Sequence, residues 1–266
     1  MEHKTGTFAE LWGLSPEGLK FYIKKGLLDP AILGKYRVYS YKEASILHRL
    51  LYFRAYGFSL EEIAELFRSH ELAEIREKMV DQEEMIQQEI IRQMNLLKRI
   101  RQSQQVLQDA KDSVGKFRIE ERPGIYRMNT QKNYTLFKKK EQLDLISEWT
   151  EKEPFVFSCA VFYQKNIENG ESEFDFGMGL REEYAQFLHV KESELVQYYP
   201  PCPCVHTCVP SRSGKYLSLE SLQEGFRYLK QNGLSLAGDI VTQVACMTKP
   251  EEEYFNWHIV WFPIEK

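Results

Sequence analysis

From Glu74 to Asp112 the chain has neither glycine nor proline, and Met79, Ile86, Gln93, Ile100 and Leu107 recur every seven residues with Ile90 and Leu97 between them. That spacing predicts one long helix with a narrow apolar stripe. At about 1.5 Å per residue it would reach roughly 55 to 60 Å, more than one small domain can cover, so the stripe calls for a second helix. A homodimer joined through a coiled coil meets that need. The alternative is a single helix lying along its own domain. Gln93 and Gln104 on the seam would weaken such a pairing and help to fix its register. The helix divides the chain into residues 1–71, 72–113 and 114–266.

The first part opens with GLSPEGLKFYIKKGLLDP, Gly13 to Pro30. Gly13 suits a sharp turn, Ser15 is a good N-cap, Pro16 fits the first helical position and Glu17 suits the positive end of the helix dipole. A second helix is therefore expected to start at Ser15, with Lys20, Phe21 and Tyr22 on or beside its outer face. The next stretch, AILGKYRVYSYKEA, turns at Gly34 and places Lys35, Tyr36, Arg37 and Tyr39 at or near a hairpin tip. Ser40 with Glu43, and Ser59 with Glu62, are capping boxes for two further helices. Helix, turn, helix, wing, helix, turn, helix fills residues 5–68. The candidate DNA contacts are Ser15, Pro16, Glu17, Lys20, Phe21, Tyr22, Lys35, Tyr36, Arg37 and Tyr39, since cations and aromatic tips suit phosphates and groove edges.

These motifs resemble the MerR family of transcription regulators across GLSPEGLKFYIKKGLLDP, KYRVYS and FRAYGFSLEEI. Gly18, Lys20, Phe21 and Ile23 stand where the family usually has Thr, Arg, Tyr and Glu. A lysine meets a phosphate as a point charge but cannot form the arginine fork, and Phe21 has no hydroxyl to donate. The resemblance implies a winged helix-turn-helix that docks on double-stranded promoter DNA and an antiparallel coiled coil between two subunits. It also implies activation by untwisting an over-long promoter spacer, which involves RNA polymerase indirectly.

The last part, from Gly115, holds 23 of the chain's 35 aromatic residues. Its apolar runs FRIEE, FVFSCAVFY, EFDFGMGL, CVHTCV, IVTQVACM and WHIVWFPI read as strands, and two helices fit between them, Leu136 to Glu151 and Ser218 to Gln231. The order predicts an α+β domain: an antiparallel sheet with both helices on one face, built from two similar halves. The half resembles the GyrI-like effector-binding domain of the multidrug-sensing MerR branch. That resemblance implies a cleft for small hydrophobic or cationic aromatic compounds and a buried Glu on the last strand. Aligning on Pro263-Ile264 puts Ile259 at that position, with Trp257 and Trp261 on the same face by alternation. Tyr126, Trp149, Phe162, Tyr254, Trp257, Ile259 and Trp261 are the candidate effector-binding residues; for these aromatics, ordinary sheet core is the competing reading.

Cys202, Cys204, His206 and Cys208 alternate and would share one face of a strand. Alternate side chains on a strand stand about 6.5 to 7 Å apart, too far for the ligands of one tetrahedral ion, so no metal site is expected. A loop at Pro201 and Pro203 that folds Cys202 and Cys204 together leaves a thiol- or metal-responsive regulator as an alternative. An odd number of cysteines, five, speaks against a disulfide framework. No phosphate-binding glycine loop, GxSxG or HExxH is present, and His3, His48, His70, His189, His206 and His258 are scattered, so neither a cofactor nor catalysis is expected. A hydrolase using acids such as Glu148 in an aromatic cleft is the enzymatic alternative. Net charge is −4 overall, but residues 1–70 carry ten Lys or Arg against eight Asp or Glu, so any DNA contact is a local patch. With no membrane-length apolar run and no signal-peptide core, a cytoplasmic location is expected.

Overall fold

The structure is a computed structural model that describes residues 3–69, 71–133, 135–212, 217–250 and 252–265. Met1, Lys266, His70 and Tyr216, the first residue of YLSLESL, lie outside the described residues. The chain gathers into two compact units, Met1–Arg92 and Gln93–Lys266.

The first unit contains β1 (His3–Lys4), α1 (Thr5–Leu11), α2 (Pro16–Lys24), β2 (Ala31–Leu33), β3 (Tyr36–Tyr39), α3 (Tyr41–Ala55), α4 (Leu60–Arg68) and the first half of α5 (Leu72–Ser113). The expected start signals act as read. Ser59 Oγ accepts from Glu62 N (3.2 Å) while Glu62 Oε2 accepts from Ser59 N (2.7 Å), and Glu43 closes the same box with Ser40. Burial works to raise the pKa of Glu43, but the hydrogen bonds from Ser40 outweigh it, so the carboxylate stays ionised at the positive end of α3. Gly34 (φ 62°) turns the β2–β3 hairpin, and Gly57 (φ 95°) lets the chain leave α3 for α4. Phe8, Leu19, Leu28, Tyr39 and Leu47 form one core cluster, and Leu27, Leu50, Phe53, Phe58, Ile63 and Leu66 a second. Each full burial of such a side chain contributes about 1.5 to 3 kcal/mol, which holds three short helices that would not persist alone. Ile75 and Met79 of α5 pack on the second cluster, and Gln82 Nε2 donates to Tyr56 O (2.8 Å).

The second unit contains the rest of α5, then β4 (Arg118–Arg122), β5 (Ile125–Lys132), β6 (Thr135–Leu136), α6 (Lys140–Thr150), β7 (Val156–Phe162), α7 (Gln164–Glu168), β8 (Asp175–Arg181), β9 (Val196–Tyr199), β10 (Cys202–Arg212), α8 (Gln223–Gln231), β11 (Ile240–Thr248) and β12 (Phe255–Pro263). The strands form one antiparallel sheet in the order β4-β10-β12-β11-β7-β8-β5-β6, with β9 also paired to β5. Two halves are visible: β5-α6-β7-β8 and β10-α8-β11-β12, each ordered first-third-second from its outer strand. They meet through two residue pairs, Ile240–Phe162 and Val241–Val161, whereas β10 and β12 share nine.

One sheet face carries Val205, Val260 and Phe262 under α8 and Met128, Val156 and Leu180 under α6. A Cβ on Gly225 would lie 2.1 Å from the Phe262 ring, so glycine is what lets α8 sit this close. The opposite face carries Cys204, Cys208, Val241, Ile259 and Trp261, on which Val106 and Ala110 of α5 pack. The first expected helix begins later than read. Leu136 belongs to β6, because Asn133 (φ 49°) turns the chain back and pairs Lys132 with Thr135. β5, β6 and β9 had no strand signal in the reading; the mixed run IYRMNTQK is a strand because both its neighbours complete its ladder.

Candidate DNA-binding face and effector cavity

Ser15 Oγ accepts from Gly18 N (3.0 Å) and Pro16 opens the helix, so both residues fix the start of α2. Glu17, Lys20, Phe21 and Lys24 are exposed. Lys20 Nζ lies 3.7 Å from Glu17 Oε1, an open pair that leaves the lysine available. Tyr22 is half-buried between the two core clusters. In the wing, Lys35, Tyr36 and Arg37 are exposed, and Lys4 Nζ sits 4.4 Å above the Tyr36 ring. Tyr41, 85% exposed at the first residue of α3, presents a further hydroxyl that the sequence reading did not single out.

In the second unit a cavity of about 530 Å³ opens on the face covered by α5. Ile259 and Trp261 of β12 and Gln243 of β11 line it from the sheet, with Arg181 from the end of β8. Helix α5 contributes Gln102, Gln105, Val106 and Asp109, and the β4 region contributes Arg118, Glu120, Glu121 and Pro123. Arg181 Nη2 donates to Gln243 Oε1 (3.3 Å), while its Nε and Trp261 Nε1 are buried without partners. Burial pulls the Arg181 pKa down from its ordinary value. The cavity therefore joins an aromatic surface to charges of both signs and to unsatisfied donors.

Pairing with β4 and β12 places Cys202, Cys204, His206 and Cys208 on this same face, as their alternation predicts. Cys202 Sγ and Cys204 Sγ are 3.6 Å apart, closer than ideal strand geometry allows. The hydrogen bond from Cys204 holds the Cys202 thiol below its usual range and raises that of Cys204, and burial pushes Cys208 up to about 12. All five cysteines are free.

Residues 4–70 match the MerR HTH family regulatory protein family. This segment is a MerR-family helix-turn-helix domain. Mercuric resistance operon regulatory proteins from Pseudomonas fluorescens and Shigella flexneri are 35% and 34% identical, each over 29% of this chain and 64% of that protein. A probable heavy metal-dependent transcriptional regulator from Haemophilus influenzae is 42% identical over 22% of this chain and 47% of that protein. The chain thus spans about 64% of the length of the mercuric resistance regulators it matches. A cryo-EM structure of an EcmrR–DNA complex overlays with a TM-score of 0.40 at 19% identity, covering 99% of this chain and 100% of that one. The EcmrR C-terminal domain gives 0.36 at 13%, covering 57% and 98%.

Within the MerR-family domain, Tyr39 does not face outward. It is fully buried and stacked on Phe8, with ring centroids 4.5 Å apart, because the end of β3 is where the wing joins the core. Among the candidate effector residues, Ile259 and Trp261 line the cavity and Trp257 shares their sheet face. The other four lie elsewhere. Trp149 of α6 and Phe162, in the cluster under α8, are core on the opposite face, Tyr126 lies there with its ring 4.6 Å from and tilted against that of Tyr198, and Tyr254 is exposed before β12. Glu148 is an exposed residue of α6 paired to Lys152 (2.8 Å), away from the cavity lining. Asp109, Arg118, Glu120, Arg181 and Gln243 were missed, since they meet only through strand register and the docking of α5. No helix among the described residues is long and apolar enough to cross a membrane.

Proposed function

We propose that the chain is a cytoplasmic, ligand-responsive transcription regulator that binds promoter DNA as a homodimer. The observation that carries this reading is that the MerR-family domain leaves Lys20 and Lys24 of α2 and Lys35 and Arg37 of the wing exposed. The helix enters a major groove, the wing rests on the flanking backbone, and DNA distortion activates the promoter. Dimerisation is supported by the stripe on α5: Ile86, Ile90, Leu97, Ile100 and Leu107 are all exposed on the single chain, the condition an unpaired coiled-coil seam presents. The GyrI-like half takes a small hydrophobic or cationic aromatic compound. Trp261 and Ile259 offer a flat apolar surface, and Glu121 supplies countercharge where the last strand has Ile259 instead of a carboxylate.

Selection of bound duplexes from a random pool by the full chain tests this. Two symmetric half-sites are expected, with affinity that falls as salt rises. A pool that shows no enrichment would end the reading. The 3.6 Å contact between Cys202 and Cys204 favours a second reading, a thiol-responsive regulator. Changing Cys202 and Cys204 to Ser separates the two, because the first reading expects the response to an aromatic compound to survive.

A further inference from the structure

Asp109 of α5, Glu120 of β4 and His206 of β10 come together where the helix meets the sheet, their ligating atoms all within 4.8 Å of one another. His206 is fully buried, and neither ring nitrogen has an aligned hydrogen bond. Its Nε2 lies 3.1 Å from Asp109 Oδ2 and 3.5 Å from Glu120 Oε1. Zinc bonds to imidazole nitrogen and carboxylate oxygen are about 2.0 to 2.2 Å, which puts neighbouring donors on a tetrahedral ion roughly 3.3 to 3.5 Å apart. The 3.5 Å separation is long for a hydrogen bond and, like the 3.1 Å one, is close to the spacing of two donors on one ion.

Arg118 supports the same arrangement. Its Nε donates to Glu120 Oε2 (2.9 Å) and its Nη2 to Asp109 Oδ1, which are the other oxygen of each carboxylate. The guanidinium therefore orients both acids from outside and leaves the two oxygens nearest His206 free of it. Two carboxylates and one guanidinium leave a net negative charge around the imidazole. Asp109 and Glu120 also line the cavity, so a fourth position opens toward solvent or ligand.

We propose that Asp109, Glu120 and His206 form a binding site for a divalent first-row transition-metal ion such as Zn²⁺, tying α5 to the effector sheet. This goes beyond the proposed function and does not depend on an organic ligand or on DNA. The oxygen and nitrogen donors suit Zn²⁺, Co²⁺ or Ni²⁺, in contrast to the soft ions that Cys202 and Cys204 would prefer.

The full chain, stripped with a chelator, is titrated with Zn²⁺ against a chromophoric competitor and separately with Co²⁺. One ion per chain is expected, with cobalt d–d bands of low coordination number and no thiolate-to-cobalt charge-transfer band. Glu120→Gln and Asp109→Asn should each weaken binding by at least about tenfold, and His206→Gln should do the same if it folds. Changing Cys202, Cys204 and Cys208 together to Ser should leave the affinity unchanged. No stoichiometric binding by the wild type would overturn the site. So would binding that the Ser variant loses and Glu120→Gln retains.

Discussion

Lys20 and Arg37 stand at the two ends of the proposed DNA contact, one on α2 and one on the wing, and neither has a core partner. Replacing either with Ala should weaken operator binding, and each lost phosphate contact should lower the slope of log affinity against log salt by about 0.9. Fluorescence anisotropy across a salt series reads both, and an unchanged slope in both variants contradicts the docking. Tyr39→Phe should leave that slope alone, since its ring is packed on Phe8 inside the domain. At the other end of the chain, burial lowers the His258 pKa to about 4, with Nε2 held 2.9 Å from Ser211 Oγ. Its folded pKa lies below the unfolded value of about 6.5, so the unfolded chain takes up the proton first and stability is lost as pH falls. Between pH 7 and pH 5 this one group should cost about 2 kcal/mol, measured by urea unfolding of the wild type against His258→Asn. Equal pH dependence in the two would show that His258 is not the titrating group. Cys202 makes a third case: with its thiol held below the ordinary range by Cys204, its alkylation rate should level off at lower pH than a thiol of pKa about 8.5, and Cys204→Ala, which removes the donor, should shift that profile upward.

At the scale of elements, the local signals were the legible ones. Caps at Ser15, Ser40 and Ser59 and turns at Gly34 and Gly57 act through neighbours three or four residues away, and the structure has the helices and hairpin where these signals put them. The cavity was not legible, because Asp109, Glu120, Arg181 and Gln243 are distant in sequence and meet through the pairing of β4 with β10, the docking of α5, and the junction of the two halves. Alternation identified Ile259 and Trp261 correctly as one face, but it could not tell that Phe162 of β7 belongs to the other, since every buried strand residue looks equally apolar, nor that Trp149 of α6 packs on that other face. Helix α5 lies between these cases. Its continuity follows from composition, while Val106 and Ala110 pack on the sheet and Ile90 and Leu97 stay 53% and 50% exposed. Ile90→Asp with Leu97→Asp should therefore leave each chain folded and abolish dimerisation, because it places like charges on the seam without touching either core. Light scattering that still reports a dimer would mean that another surface joins the subunits.

For the whole molecule, a compound in the second unit has to change what the first unit does to DNA, and among the described residues α5 is the element with residues in both. Asp109, Gln102 and Gln105 put that helix in the cavity wall, so a bound compound touches it directly. A flat aromatic cation such as proflavine, added to the protein without DNA, should quench tryptophan emission. Of the four tryptophans, Trp261 lines the cavity and Trp149 lies in core on the other sheet face. Trp261→Ala should lower affinity by roughly 1 to 3 kcal/mol through lost ring contact, whereas Trp149→Phe should leave it within error. Glu121→Gln, which removes a cavity carboxylate outside the Asp109, Glu120 and His206 cluster, should weaken a cation more than a neutral aromatic of the same shape. If Trp261→Ala binds as the wild type does and the triple change of Cys202, Cys204 and Cys208 to Ser abolishes the response, the thiol reading replaces the aromatic one. If affinity falls in Trp261→Ala and a promoter reporter loses induction in step, the coupling between cavity and DNA runs as proposed, since a ligand shifts an equilibrium only by its differential affinity for the two states.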